Sequence, residues 1–267
     1  MPPSTRKAET PLLYAALGDS ITYGYSATNP NHNFVSLIHR KGFSPIQPNL
    51  FILARPGWTS KQLLKSILRT PEVIWDETRY VTLWIGGNDA IRAMPFVLSG
   101  DFAPLRRVAE RLRANLSSMI QHIRRPKMQI YVANLYNPFP NSHLAEEAIH
   151  LLNDAIAGVA RQEGVKLVDM YRSLHGRESL AIEGYRRGVL QDVRLRGNPI
   201  HPNDDGHRWI AETWLKAISP SRSLSASKRQ KKQGRRVLST QKSTHSLNIR
   251  IEKTQRKKAG SGKKLAR

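Results

Sequence analysis

Five short apolar runs punctuate the chain: LLYAALG from Leu12, NLFILA from Asn49, YVTLWIGG from Tyr80, MQIYVANLY from Met128 and VKLVDMY from Val165. Each is continuous rather than alternating, the pattern of strands covered on both faces. Elsewhere apolar residues recur at three- and four-residue spacing. From Phe102 to Arg125, Leu105, Val108, Ala109, Leu112, Leu116, Met119, Ile120 and Ile123 make one stripe, which predicts an amphipathic helix. A second helix is expected from about Ser142 to Glu163, with Gly164 as its stop signal. A third, shorter one starts near Asn203 and carries Trp209, Ile210, Trp214 and Ile218. Strands alternating with helices imply an α/β fold of three α/β/α layers, because right-handed crossovers place the helices on both faces of a parallel sheet. No internal repeat is visible.

In such a sheet the functional crevice lies beyond the carboxyl ends of the strands. The first run stops abruptly at Gly18-Asp19-Ser20, where a serine can expose its hydroxyl and a following helix start can offer N–H groups to an anion. The bland alternative is that Asp19 or Ser20 only caps that helix. Three further strand ends or loops add to the picture. ARPGWTS follows the second run, and Gly57 can bring a backbone N–H close to a ligand. LWIGGNDA closes the third, with the carboxamide of Asn88. GNPIHPNDDGH puts His201 just before the last helix. A serine, a glycine N–H, an asparagine amide and a histidine on separate loops at one edge form the parts list for acyl transfer: nucleophile, oxyanion donors and general base.

Composition changes this picture in only a few places. The formal charge of +23 suggests a polyanion partner until it is located: Ser219 to Arg267 holds 16 Lys and Arg against a single acid, Glu252. That segment has little apolar periodicity and is expected to be a disordered basic tail. The expected division is therefore an N-terminal extension 1–10, a folded domain 11–218 and the tail 219–267. The tail lacks aromatic residues for base stacking, so at most a non-specific contact with nucleic acid or an anionic membrane surface is expected from it. Cysteine is absent, which excludes disulfides, thiolate metal sites and cysteine nucleophiles. No run approaches the roughly 20 apolar residues of a membrane span, and MPPSTRKAETPLL has no signal-peptide core, so a soluble, cytoplasmic chain is expected. His207 with His201, Asp204 and Asp205 invites a metal reading, but helix capping by Asn203 or Asp204 accounts for the pattern; neither metal nor cofactor is expected. Asp89 is expected to organise its own loop, and Trp58 and Trp84 to be packing residues rather than walls of a substrate pocket. There is no G-x-S-x-G elbow and no phosphate-binding loop.

The four blocks GDSITYG, RPGWTS, GGND and HPNDDGH, in this order, resemble those of the SGNH hydrolase family, the GDSL esterases and lipases. The resemblance spans Gly18 to Gly206 and implies a flavodoxin-like five-stranded parallel sheet. It implies Ser20 as nucleophile, His201 as base, and an oxyanion hole from the N–H groups of Ser20 and Gly57 and the amide of Asn88. The substrate would be a small-molecule or lipid ester, cleaved through an acyl-serine. One position departs from the pattern: the family's aspartate three residues before the histidine is Asn198 here. Asn can orient the imidazole through its carbonyl but carries no charge; in a serine protease the corresponding change costs about 10⁴ in turnover. A Ser–His pair aided by a backbone carbonyl, a carboxylate from elsewhere such as Asp192, and a much weakened enzyme all stay open on the sequence. So does the alternative that the main function is polyanion binding through the tail. Met94 to Pro104 and the loop Tyr171 to Asn198 are the expected pocket walls. Substrate choice and oligomeric state are not legible.

Overall fold

The computed structural model describes residues 12–43, 47–193 and 199–218. The extension 1–10, the basic segment 219–267 and Asn198 lie outside the described residues. Strands β1 (Leu13–Gly18), β2 (Asn49–Ala54), β3 (Thr78–Trp84), β4 (Gln129–Ala133) and β5 (Lys166–Val168) form one sheet in the order β2-β1-β3-β4-β5. Every neighbouring pair is parallel. This is the flavodoxin-like order, with the direction of travel across the sheet reversing between β1 and β3. The register brings the last residues into line, Gly18 beside both Ala54 and Trp84, so the loops that follow β1, β2 and β3 leave from one edge.

Ten helices are described: α1 (Ser20–Tyr23), α2 (Phe34–Lys41), α3 (Ser60–Ile67), α4 (Glu72–Glu77), α5 (Gly87–Leu98), α6 (Ala103–Ile123), α7 (His143–Gln162), α8 (Met170–Leu174), α9 (Glu178–Ala181) and α10 (Asp204–Ile218). The first crossover moves outward and the later ones move back, so right-handedness puts α2 on one face and α3, α6 and α7 on the other. The chain then returns through α10, which packs on α2, while α5 lies against α6 and α7. Phe34 of α2 stacks on Trp214 (6.5 Å, 9°) and on His207 (6.1 Å, 14°), both from α10. All three are fully buried, and burial of an aromatic ring of this size contributes about 2–3 kcal/mol. This contact fixes the helix that follows His201.

The three helices expected from periodicity form with ends displaced by one or two residues. α6 stops at Ile123, two residues before Arg125-Pro126, because the residue before a proline disfavours helical geometry. Ser142 caps α7 by accepting from the Ala145 amide. Asn203 does the same for α10, accepting from Gly206 N at 2.9 Å. The continuous-burial reading holds for β1, every residue of which is buried, and for most of β3 and β4. It is weaker at the edges, where the helix layers give out and Ile52 of β2 and Leu167 of β5 stay exposed. Among the described residues no helix is long and apolar enough to cross a membrane.

Candidate active site

β1 delivers Ser20 through a tight turn. Asp19 caps α1 by accepting from Ile21 N at 3.1 Å, so the capping reading is realised on Asp19, while Ser20 itself is buried. Gly18 makes the turn possible: a Cβ there would lie 2.1 Å from Thr22 Oγ1 and 2.5 Å from the Trp84 carbonyl oxygen. α1 ends at once at Gly24, whose φ is +96°. Burial pushes the Asp19 carboxyl up to about 7; the Ile21 amide works against this and the charge of Asp89 adds to it.

Beyond β2 the chain turns through Arg55–Trp58, with Trp58 N donating to Arg55 O at 3.2 Å. Pro56 and Gly57 occupy the centre, and the φ of +81° at Gly57 is that of the second central residue of a type II turn. Two adjacent side chains from the first turn of α5 hold this loop. Asn88 Nδ2 donates to Trp58 O at 2.9 Å, leaving its second N–H for another acceptor. Asp89 accepts from Ser60 N at 2.8 Å and Ser60 Oγ at 2.7 Å, and Ser60 Oγ accepts in turn from Asn115 Nδ2 at 2.9 Å. Asp89 therefore organises the loop opposite as well as bonding its own backbone. Among the described residues the N–H groups of Ser20 and Gly57 donate to no backbone or side-chain acceptor.

His201 is placed by its backbone. Glu183 N donates to His201 O at 2.8 Å, Ile182 and Pro202 form an antiparallel bridge, and Asn203 N donates to Ala181 O at 2.9 Å. From the other side the Tyr136 hydroxyl donates to Ile200 O. The imidazole Nε2 then lies 2.9 Å from Ser20 Oγ, although 181 residues separate them in sequence. Burial lowers the His201 pKa, so the ring is neutral and able to accept a proton at neutral pH. Nδ1 makes no hydrogen bond among the described residues. Asp192 lies elsewhere in its bonding: its carboxylate accepts from the Arg187 and Val189 amides, which hold its pKa down against desolvation.

Ser20, Asn88 and His201 line one cavity of about 100 Å³. Its walls are apolar: Ile91, Met94 and Val97 from α5, Phe139 from the loop after β4, and Ala148 and Ile149 from α7. Two expectations need correction here. The α5 wall includes Met94 and Val97 as expected but begins earlier, at Gly87, and the second wall is the β4–α7 loop with α7; no described residue of Tyr171–Val193 lines the cavity. Trp84 does line it, because its position at the end of β3 makes it the floor once the indole N–H is satisfied by Asn134 O at 3.0 Å. Gly57 is not among the lining residues; its neighbour Trp58 is held by Asn88, which does line the cavity. His207, apart from its Phe34 stacking, donates through Nε2 to Tyr25 O (3.3 Å) inside the core. Sequence reasoning missed Tyr25, Ser60, Asn115 and Tyr136. Their contacts are far away along the chain, and no local pattern announces them.

A hydroxyl paired with a neutral imidazole beside free N–H donors and an apolar recess is suited to acyl transfer. The model of the GDSL-like lipase/acylhydrolase family matches residues 16–209, which include all four loops. The chain belongs to the GDSL-like lipase/acylhydrolase family. This GDSL hydrolase is thus a carboxylic ester hydrolase of lipolytic type. It is 27% identical over 212 residues to the spore germination lipase LipC of Bacillus licheniformis, covering 75% of this chain and 93% of that protein. The fold of the GDSL hydrolase is similar to that of the lipase Lip_vut3 from a goat rumen metagenome (TM-score 0.65, 24% identity, 79% of this chain and 99% of that one). It is also similar to the extracellular lipase of Streptomyces rimosus (TM-score 0.58, 20% identity, 78% and 100%).

Proposed function

We propose that this hydrolase cleaves carboxylic esters carrying an apolar acyl group, through a covalent acyl-Ser20 intermediate. The observation that carries the proposal is the 2.9 Å hydrogen bond between His201 Nε2 and Ser20 Oγ, both of which line a largely apolar cavity. His201 takes the Ser20 proton as Oγ bonds to the ester carbon. The resulting oxyanion accepts from the N–H groups of Ser20 and Gly57 and from Asn88 Nδ2. The bond to the alcohol oxygen then breaks, and the imidazolium returns its proton to the leaving alkoxide. Water repeats the sequence to release the acid and restore Ser20. Support for the hole comes from the free N–H groups of Ser20 and Gly57 and the spare hydrogen on Asn88. Asn198 is kept as the residue that would orient Nδ1 through its carbonyl oxygen, without a charge. The acyl chain fits the recess walled by Met94, Val97 and Ala148.

The test is a series of nitrophenyl esters of increasing acyl length, with native protein and Ser20→Ala. Hydrolysis is expected to rise from acetyl to longer chains as methylenes enter the cavity, and to fall by at least about 10³-fold in the variant. Retained hydrolysis in Ser20→Ala refutes the mechanism. In the same proposal residues 11–218 are the hydrolase domain and 219–267 a basic tail. The charge of that tail favours a second activity, salt-sensitive contact with polyanions, which deletion of residues 220–267 would remove without changing ester turnover.

A further inference from the structure

Tyr25 joins three parts of the site. Its amide donates to Ser20 O at 2.9 Å, and its carbonyl oxygen lies 3.3 Å from His207 Nε2. Its ring lies against the His201 imidazole, with centroids 4.5 Å apart and planes tilted by 44°. The side chain is 50% exposed and is not part of the core. Its hydroxyl has no hydrogen bond among the described residues, which leaves the ring as the contacting group.

The surroundings of His201 make this contact consequential. The carboxylate usual in the last block is replaced by Asn198. The other acids nearby are engaged elsewhere: Asp204 accepts from Thr28 and pairs with His32, and Asp192 is held by Arg187 and Val189. Asp19 and Tyr136 share the cavity with His201, the first accepting from Ile21 and the second donating to Ile200 O. Glu183 touches it through its amide, and His207 is buried under the same tyrosine. An aromatic ring against an imidazole restrains its rotation, and it attracts the imidazole more strongly once that is protonated.

We infer that Tyr25 is a positioning residue for ester hydrolysis, its ring holding the His201 imidazole toward Ser20 and favouring the imidazolium formed during reaction. The inference rests on the proposed Ser20–His201 pair. It is tested by comparing Tyr25→Leu, which keeps an apolar side chain but removes the aromatic ring, with Tyr25→Phe, which keeps the ring and removes the hydroxyl. On a soluble nitrophenyl ester Tyr25→Leu should lose about tenfold in kcat with KM little changed. The acidic limb of its pH–rate profile should move to lower pH, because the protonated imidazole has lost a favourable contact. Tyr25→Phe should match the native protein on both counts. Native kcat and an unmoved limb in Tyr25→Leu overturn the inference, and so does equal damage in Tyr25→Phe, which would transfer the effect to the hydroxyl. Ser20→Ala, run alongside, separates the two claims. Hydrolysis surviving there sinks the Ser20–His201 pair, whereas an inactive Ser20→Ala beside a native-like Tyr25→Leu sinks only the role of Tyr25.

Discussion

Gly206 sits in the first turn of α10 and takes no part in the chemistry, yet its replacement by alanine sets two opposed effects against each other. Helix propensity favours alanine over glycine by about 1 kcal/mol. Against that, the new Cβ would lie 2.2 Å from Ala181 O and 2.8 Å from Pro202 Cβ. Ordinary contact begins at 3.4 Å, so the Ala181 carbonyl must retreat by about 1 Å. Overpacking of this kind costs about 1–3 kcal/mol, and the collision should win. The displaced carbonyl is also the acceptor for Asn203 N, next to the Ile182–Pro202 bridge and the Glu183–His201 bond, so the shift passes to His201. Misplacement of a reacting group by about 1 Å typically costs about 10² in rate. Gly206→Ala is therefore expected to be about 1–2 kcal/mol less stable in urea unfolding and about 10–100-fold slower in kcat/KM at a pH where His201 is neutral. Equal or greater stability with native turnover would show that the pairing of 180–183 with 200–203 is not what fixes the imidazole.

Two further predictions concern other parts of the site. Asn88→Ala should lower kcat by about 10²–10³ with little change in KM, since an oxyanion donor acts in the transition state; steady-state kinetics with unchanged turnover would remove Asn88 from the hole. His207 has its pKa lowered to about 4, chiefly by burial, with the Tyr25 carbonyl working against this. Its folded value lies below its unfolded one, so its stabilising effect is complete above about pH 6.5 and is lost as pH falls toward 4, at up to about 1.4 kcal/mol per pH unit. Urea unfolding of native protein and His207→Gln across that window should show a flatter slope in the variant; equal slopes would contradict the assignment.

The sheet was legible because β1, β3 and β4 are covered on both faces, and a buried parallel strand has to be continuously apolar. The long helices α6 and α7 were legible because each lays a single stripe on the sheet. The short helices α2 to α5 were not named, since six to twelve residues give too few turns for a stripe, and Pro95 interrupts α5. At the site, residues recognisable by local spacing were found: Ser20, Asn88 and His201 do meet at one cavity. Groups whose role depends on a distant partner were not. Asp89 reaches Ser60, Tyr136 reaches Ile200 and Tyr25 reaches His201, and none of these pairings leaves a periodic trace. The second cavity wall was misplaced for the same reason, because α7 approaches α5 only through the tertiary fold.

The last block, HPNDDGH, reads along the sequence as one motif, but its residues restrain a single imidazole from several directions. Asn203 pairs with the Ala181 and Leu180 carbonyls, Asp204 is bound by Thr28 and His32, Gly206 leaves room for Ala181, and His207 is buried beneath Phe34 and Tyr25. Aiming an imidazole requires a fixed backbone and a restrained ring rotation. The pairing with 180–183 supplies the first, and the ring of Tyr25 the second. A carboxylate at Nδ1 would add something neither can supply in full, a negative charge opposite the imidazolium. On the proposed mechanism, then, a substitution that misaligns the imidazole, such as Gly206→Ala, and one that weakens stabilisation of its charge, such as Tyr25→Leu, should both slow turnover, the second alone shifting the acidic limb of the pH–rate profile.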